Sequence, residues 1–286
     1  MRYLSHLVLL IVMVNVTAGL LAELEPSSPV EWVVPQDAID GYEERTAMAL
    51  STMPDSLLDN SVQRGSVTLK ANGVRISDST IARYFSKRSD PERSSTVYWK
   101  FRQPDVVSAT ASAADKHHYF VNSYLIGYQP FKADAFWQPF YTVASRKVYQ
   151  LDSRQYGLKE IWQNSAQAYR NTRGDCEDHA ILLADWLIET GIDARVVLGD
   201  YKGGGHAWVV AYMKGEAFLL EATSKRRHRS WNAYPKALLS RHYQPRVMFN
   251  RDSFWINTGS RDTRDYSGSH WQVASTFRLR QVPEGL

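Results

Sequence analysis

The chain has 286 residues, 44% of them hydrophobic and 22% charged, with a formal net charge of +4. This length allows one large domain or two modest domains with a real core, and the composition is that of an ordinary globular protein. Internal repeats and low-complexity tracts are absent from the sequence. The positive charge is mild and scattered except at Lys225–Arg229, which we interpret as a solvated loop, so we expect no nucleic-acid partner.

Residues 1–22 have the features of an export signal. Arg2 supplies a positive start, Leu7–Val14 an apolar run, and small residues near Ala18 or Ala22 offer cleavage sites. The apolar run is shorter than the ~20 residues of a spanning helix. A cleaved signal peptide is therefore predicted, with an uncleaved anchor to the inner membrane through residues 4–22 as the alternative. Because no cysteine follows the run, lipoprotein attachment is excluded, and the mature chain is expected in a bacterial periplasm or outside the cell.

Residues 23–130 are predicted to form an N-terminal accessory region. After an acidic, proline-bearing linker at 23–29, Val67–Ile76 alternates around Asn72-Gly73, a strong hairpin signal. Capping-type residues at 78–80 precede a short helix, and the aromatic, β-branched stretch 96–125 predicts one or two strands. No cofactor or phosphate motif occurs here. The pair His117-His118 lacks a cysteine or acid at ligand spacing, so we expect no metal site.

Two helices are predicted before the central motif. The aromatic spacing between Phe136 and Tyr141 is typical of a core helix that Pro139 would bend or break. A second helix is predicted over Leu158–Tyr169. It carries Trp162, which we expect to pack beneath the segment that follows.

That segment holds the only cysteine in the chain. After Cys176, apolar residues recur at helical spacing until Gly191, and Gly174 and Asp175 are suited to the turn and N-cap of the helix. The sulfur would then lie in the first turn, where free N–H groups and the helix dipole stabilise a thiolate. Cys176 is accordingly predicted to be a low-pKa nucleophile, the alternative being a small buried hydrophobe. An unpaired cysteine in an exported chain favours the nucleophile.

A hairpin downstream supplies the partners of a nucleophile. Gly203–Gly205 leads into an apolar strand that begins at His206, and a turn at Lys214–Glu216 leads to a second strand that ends at Glu221. Pairing about the turn places His206 and Glu221 together at the far end. A helix packed on this hairpin brings thiol, imidazole and carboxylate together, as in cysteine acyl-transfer enzymes.

These motifs resemble the bacterial branch of the transglutaminase-like superfamily, which is related in fold to papain-type proteases. The resemblance covers roughly residues 150–225 and rests on Gly-Asp-Cys-Glu-Asp-His-Ala, His-Ala-Trp-Val-Val and a strand that ends in an acid. Trp162 matches the tryptophan that usually precedes the cysteine motif. The resemblance implies a papain-like α+β core with the catalytic helix on an antiparallel sheet, and Cys176, His206 and Glu221 as the triad. One position departs from the family pattern, because the third member is most often aspartate.

The implied chemistry needs no metal or cofactor. His206 would take the thiol proton, Glu221 would orient the imidazole, and the Cys176 N–H would stabilise the oxyanion, which is typically worth ~3 kcal/mol. Trp162 and Gln163 are candidates for a second oxyanion donor. Gly203–Gly205 would form a mobile or closely approaching lip beside the histidine.

Three functions remain open from the sequence. Water as the acyl acceptor gives hydrolysis of peptide or isopeptide amides, with a protein or peptide of the cell envelope as substrate; a cell-wall amidase is a weaker variant. A lysine amine as acceptor gives a protein-glutamine gamma-glutamyltransferase, which cross-links proteins. The third function is a non-catalytic binding or scaffold protein on the same fold.

The chain after Glu221 completes the prediction. Val247–Ile256 predicts two strands around a turn, and the polar tail contains an apolar stretch near Trp271–Leu279 that predicts an edge strand. We therefore expect a catalytic domain over residues 131–258 and a C-terminal tail over residues 259–286.

Overall fold

The computed structural model describes residues 48, 64–70, 73–86, 96–100, 106–224 and 234–280. All of them belong to one compact unit, Gln36–Leu286. The predicted export signal, the linker at 23–29 and the basic stretch Lys225–Arg229 lie outside the described residues, so these three interpretations stay predictions.

The described residues form five α-helices and thirteen strands, together with two short 3-10 helices. The α-helices are α1 (Asp78–Ser86), α2 (Gln138–Arg146), α3 (Asp152–Gln155), α4 (Ser165–Arg170) and α5 (Cys176–Glu189). The strands are β1 (Gly65–Leu69), β2 (Arg75–Ser77), β3 (Val97–Lys100), β4 (Val106–Ser112), β5 (His118–Phe120), β6 (Val148–Tyr149), β7 (Arg173–Gly174), β8 (Asp193–Tyr201), β9 (Gly204–Met213), β10 (Glu216–Leu220), β11 (Tyr243–Phe249), β12 (Ser253–Asn257) and β13 (Trp271–Leu279). The 3-10 helices are Val121–Tyr124 and Ala237–Leu239.

An antiparallel sheet of eight strands dominates the fold, in the order β10-β9-β8-β11-β12-β13-β1-β2. Helix α5 packs on β8 and β9, with α2 and α4 beside it. Two smaller sheets, β3-β4-β5 and the parallel pair β6-β7, complete the unit. The α+β architecture with the cysteine helix on an antiparallel sheet is confirmed.

Helix α5 forms where the apolar period predicted it. Ala180, Leu183, Ala184 and Leu187 are completely buried, and burying each leucine stabilises the fold by about 1.5–3 kcal/mol. Asp175 is the N-cap residue by backbone conformation, although its side chain makes no capping hydrogen bond. After the helix, Gly191 adopts a φ of +84°, the left-handed conformation with which helices commonly end.

Of the two helices predicted before α5, the second is shorter than expected and the first is not bent. Residues 158–164 are not helical, because Asn164 starts α4 with a capping box that its side chain and Gln167 form together. Trp162 therefore lies before the helix, not in it. In α2, Pro139 occupies the first turn, where its missing N–H costs nothing, so it starts the helix and neither bends nor breaks it.

The strand predictions hold in part. The hairpin around Asn72-Gly73 is confirmed as β1 paired with β2, and the pair around residue 250 is confirmed as β11 and β12. The stretch 96–125 contains three strands where one or two were expected. The prediction of an edge strand near the C-terminus was wrong, because β13 lies inside the sheet between β12 and β1.

The large sheet draws strands from both sides of the predicted catalytic domain, because β1, β2 and β13 lie outside residues 131–258. The boundaries at 131 and 258 stay predictions. Within the described residues, no helix combines the length and the apolarity that crossing a membrane requires.

Candidate active site

The β9–β10 hairpin brings His206 and Glu221 together. The pairing runs from Glu216 opposite Met213 at the turn to Leu220 opposite Val209, and Glu221 follows directly. His206 Nε2 lies 2.9 Å from Glu221 Oε2, with both side chains largely buried. The predicted contact between imidazole and carboxylate is therefore present.

Glu221 stays ionised because polar partners surround it. Burial alone would raise the pKa of this carboxyl, but hydrogen bonds from His206, Thr223 and Tyr243 and the charge of His206 hold the pKa below its usual value. An ionised carboxylate accepts hydrogen bonds and donates none. It can therefore fix the imidazole orientation in the way that the third member of a triad does.

This contact decides which imidazole nitrogen carries the proton in the neutral ring. Since the carboxylate only accepts, the neutral ring carries its proton on Nε2, and Nδ1 keeps a lone pair. The centroids of the Tyr201 and Trp208 rings lie 5.5 and 6.2 Å from that of the imidazole. The aromatic walls and the carboxylate together restrict the ring to one orientation.

Cys176 begins helix α5 and is partly buried. The backbone N–H of Ala207, the residue after His206, lies close enough to the sulfur to favour its thiolate. Strand β9 thus presents both the histidine and an N–H group to this part of the helix. In this state the thiol donates a hydrogen bond to Glu177 Oε2 at 3.4 Å.

The prediction of a low-pKa thiol was wrong for this state. Burial, followed by the charge of Asp175, raises the Cys176 pKa to about 12. The helix N-terminus contributes only ~0.3–1 kcal/mol, less than the ~1.4 kcal/mol of one pKa unit. Desolvation shifts the pKa of a buried group by several units, so it outweighs the dipole.

A buried ionic cluster lies behind the cysteine. Asp175, Glu177, Asp178 and Asp152 are buried or nearly so, and Lys147 is the buried cation among them. Lys147 Nζ donates to the carbonyls of Asn171 and Arg173 at 3.2 Å, and desolvation lowers its pKa to about 8 although Asp178 raises it. Burial raises the pKa of Asp178 to about 7 and that of Asp152 to about 8.

The same cluster explains the glycine of the cysteine motif. A Cβ on Gly174 would lie 2.8 Å from Lys147 Nζ and would also clash with the Asp178 carboxylate. Only glycine lets the backbone of β7 approach these buried charges so closely.

Among the described residues, these four carboxylates lie close enough together to hold a metal ion. One oxygen from each of Asp152, Asp175, Glu177 and Asp178 lies within 4.8 Å of the others. Asp152 Oδ1 and Glu177 Oε1 have no hydrogen-bond partner among the described residues, and oxygen donors suit a hard divalent cation. The sequence analysis did not identify this cluster, because its members come together only through tertiary packing.

The two candidates for a second oxyanion donor already have acceptors. Trp162 Nε1 donates to Glu160 Oε1 at 3.0 Å, and its ring packs against Tyr124 and Phe249 in the core. Gln163 Nε2 donates to Asp178 Oδ2 at 2.6 Å, and its backbone N–H donates to Asp178 Oδ1 at 2.8 Å. Trp162 thus packs in the core as predicted, and Gln163 links the chain before α4 to the start of α5. An oxyanion role for either stays a prediction.

An exposed apolar rim borders the site. Val148, Tyr149 and Leu151 are each about half exposed, while their neighbours Lys147 and Asp152 are buried. Tyr149 is in register with Gly174, and the charges of both Cys176 and Glu221 act on its phenol. The exposed side chains of the rim therefore lie beside the thiol, on a backbone that the buried Lys147 and Asp152 hold in place. On the histidine side, Gly203–Gly205 is exposed, and a Cβ at Gly203 or Gly205 would meet nothing within 4 Å.

Sequence reasoning missed Tyr149, Tyr243, Thr223 and the cluster around Lys147. Thr223 follows Glu221 by two residues, a local spacing that could have indicated it. The other members reach the site through sheet pairing and the packing of distant segments, so no local signal points to them.

One family model and one curated protein match parts of the chain. Residues 160–278 match the family model described as the CEP76 peptidase-like domain. Mouse centrosomal protein of 76 kDa is 42% identical over 55 residues, which are 19% of this chain and 8% of that protein. The chain thus spans less than a tenth of the curated relative that it matches.

Solved structures resemble the chain more loosely. Legionella pneumophila LapG is 19% identical with a TM-score of 0.36, over 49% of this chain and 75% of LapG. A candidate cysteine protease from Cytophaga hutchinsonii is 16% identical with a TM-score of 0.27, over 56% of this chain and 57% of that protein. The chain thus has an α+β fold with the cysteine helix on an antiparallel sheet, and residues 160–278 of it are similar to a peptidase-like domain.

Proposed function

We propose that the chain is an exported cysteine hydrolase that cleaves peptide or isopeptide amides in the bacterial cell envelope. One observation carries the proposal: strand β9 presents His206, held by Glu221 at 2.9 Å, next to Ala207, whose N–H lies by the Cys176 sulfur. The apolar rim around Tyr149 favours a polypeptide substrate over a small polar one, because it offers exposed surface to neighbouring side chains.

The reaction needs His206 as a general base. As a carbonyl carbon approaches the sulfur, His206 Nδ1 takes the thiol proton and the sulfur forms a bond to the carbon. The Cys176 N–H at the start of α5 stabilises the oxyanion. The imidazolium then gives its proton to the leaving amine, and the C–N bond breaks to leave a thioester. Water, deprotonated by His206, attacks the thioester and releases the acid and the thiol.

The raised pKa of the resting thiol favours one of two forms of this mechanism. A preformed thiolate–imidazolium pair, as in papain, requires a low thiol pKa. Here burial and Asp175 keep the thiol protonated, so proton transfer accompanies substrate binding. This form is closer to the serine–histidine mechanism than to that of papain.

The test compares the wild type with Cys176→Ala on a cell-envelope protein extract. New peptide termini that depend on Cys176 would support hydrolysis, and incorporation of a labelled primary amine would assign cross-linking instead. His206→Gln is expected to match Cys176→Ala, and His242→Gln, at an exposed histidine, is the matched control. Glu221→Gln keeps the shape and removes the charge, so a loss as complete as that of Cys176→Ala would make Glu221 an essential triad member.

A non-catalytic function is the second candidate, and the protonated thiol bonded to Glu177 is the observation that favours it. It predicts no new termini, no amine incorporation and an envelope partner that the wild type and Cys176→Ala retain equally.

A further inference from the structure

The carboxylate of Glu221 is held at both oxygens. Oε2 accepts from His206 Nε2 at 2.9 Å and from the Tyr243 hydroxyl at 2.8 Å. Oε1 accepts from the Thr223 N–H at 3.1 Å and from Thr223 Oγ1 at 2.6 Å. An ionised carboxylate has about four lone-pair sites, so these contacts use its full capacity. The imidazole therefore meets a carboxylate that cannot turn away.

Tyr243 owes its position to the sheet. Strands β11 and β8 pair with Tyr243 opposite Tyr201, and the two rings lie 4.6 Å apart. The ring of Trp208 packs against the edge of Tyr243 at 5.0 Å. These contacts fix the phenol ring and direct its hydroxyl at Glu221. Burial and the charge of Glu221 raise the pKa of Tyr243 above its ordinary value. The hydroxyl therefore stays protonated and donates its hydrogen bond to Glu221.

We propose that Tyr243 is a positioning residue which, with Thr223, makes a glutamate effective at the triad position that aspartate usually holds. The inference rests on the proposed function. Glutamate is longer than aspartate by one methylene, and an unrestrained carboxylate at that length would have many orientations. The Tyr243 and Thr223 donors select the one in which Oε2 receives the imidazole N–H.

The surroundings of Glu221 set the direction of the expected effect. Among the described residues, the ionisable groups that face it are His206 from β9, Tyr243 from β11 and Tyr149 from β6, and of these three His206 is the one that can become a cation. Tyr243 donates to the same Oε2 as the imidazole and so holds that oxygen beside it. In Tyr243→Phe the carboxylate can turn away from the imidazole, so His206 is expected to lose its proton at a lower pH than in the wild type.

The experiment follows the His206 imidazole by NMR through a pH titration of the full chain. The chain has eight histidines, so the signal is assigned with His206→Gln. Tyr243→Phe is compared with Tyr201→Phe, which also loses a phenol hydroxyl next to the imidazole. The Tyr201 hydroxyl makes no hydrogen bond to the residues that the structure describes, so this control should leave the titration unchanged.

A double-mutant cycle separates positioning from packing. Glu221→Gln should lower the His206 pKa, and adding Tyr243→Phe to Glu221→Gln should change it no further, because the charge through which Tyr243 acts is gone. In the enzyme assay Tyr243→Phe should lower kcat by about tenfold and leave KM unchanged, a typical size for a residue that orients a catalytic group. Should Tyr243→Phe fold poorly, Thr223→Val removes a donor from Oε1 and should shift the titration in the same direction.

The titration does not depend on turnover. A downward shift of the His206 titration in Tyr243→Phe that is coupled to Glu221 supports the inference even if no amide is cleaved, in which case the proposed function alone fails. An unchanged or upward-shifted titration, or equal effects of Tyr243→Phe with and without Glu221→Gln, would overturn the inference even in an active hydrolase.

Discussion

Cys176 should be slow to react in the folded protein. Burial and the charge of Asp175 raise its pKa to about 12, whereas an unfolded cysteine titrates near 8.5. At about pH 8 these values correspond to thiolate fractions of roughly 1 in 10,000 and 1 in 4, so alkylation of the folded chain should be slower by about 2,000-fold. Restricted access to the sulfur adds to this difference.

The assay measures iodoacetamide incorporation with and without urea. Cys176 is the single cysteine of the chain, so all label reports on it. Asp175→Asn removes a charge that raises the thiol pKa, and it should accelerate alkylation of the folded protein while leaving the urea-unfolded rate unchanged. A folded rate equal to or faster than the unfolded rate would refute the reasoning, because it would show a thiolate–imidazolium pair already present without substrate.

Three further predictions concern the surroundings of the thiol. Gly174→Ala should lower the free energy of unfolding by about 1–3 kcal/mol in urea titrations, because its Cβ would clash with Lys147 and Asp178; Gly205→Ala, where a Cβ meets nothing, should cost much less, and equal losses would contradict the packing argument. Burial raises the pKa of Asp152 to about 8, so the folded state binds the extra proton and stability falls as pH rises from the unfolded value of 3.8 towards 8. Asp152→Asn should therefore raise the Tm most at the upper end of that window and little at its lower end, and a uniform shift across it would count against a buried acid. Tyr149→Ala should raise KM for a peptide substrate with little change in Tm, because the side chain is 47% exposed; an unchanged KM would remove the rim from the substrate site.

The buried acids and Lys147 also affect the stability of the fold next to Cys176. Removing one partner of a buried ionic group leaves the others uncompensated, which typically costs 3–5 kcal/mol, about the size of a large core deletion. The residues around the cysteine motif are therefore constrained by stability as well as by chemistry. Gly174 lies just before α5 and leaves room for the side chains of Lys147 and Asp178. Asp178 lies in the first turn of α5 and accepts the Gln163 N–H.

Much of the site was predictable because its signals are local. The period of apolar residues after Cys176 and the stop at Gly191 define α5, and the turn at Lys214–Glu216 sets the hairpin register that brings His206 to Glu221. Helix period and turn chemistry depend on residues a few positions apart, which a single sequence displays. The errors arose where local signals compete, as at Asn164, whose capping box ends the extended segment that carries Trp162.

Sequence alone determined the helix that begins at Cys176 and the hairpin that brings His206 to Glu221. Tertiary structure decided the properties of those residues. The pKa of Cys176 follows from its burial and from Asp175, and the orientation of Glu221 follows from Tyr243, which β11 brings to it by pairing with β8. Desolvation and long-range strand pairing depend on which distant segments pack together, and no short stretch of sequence encodes that information.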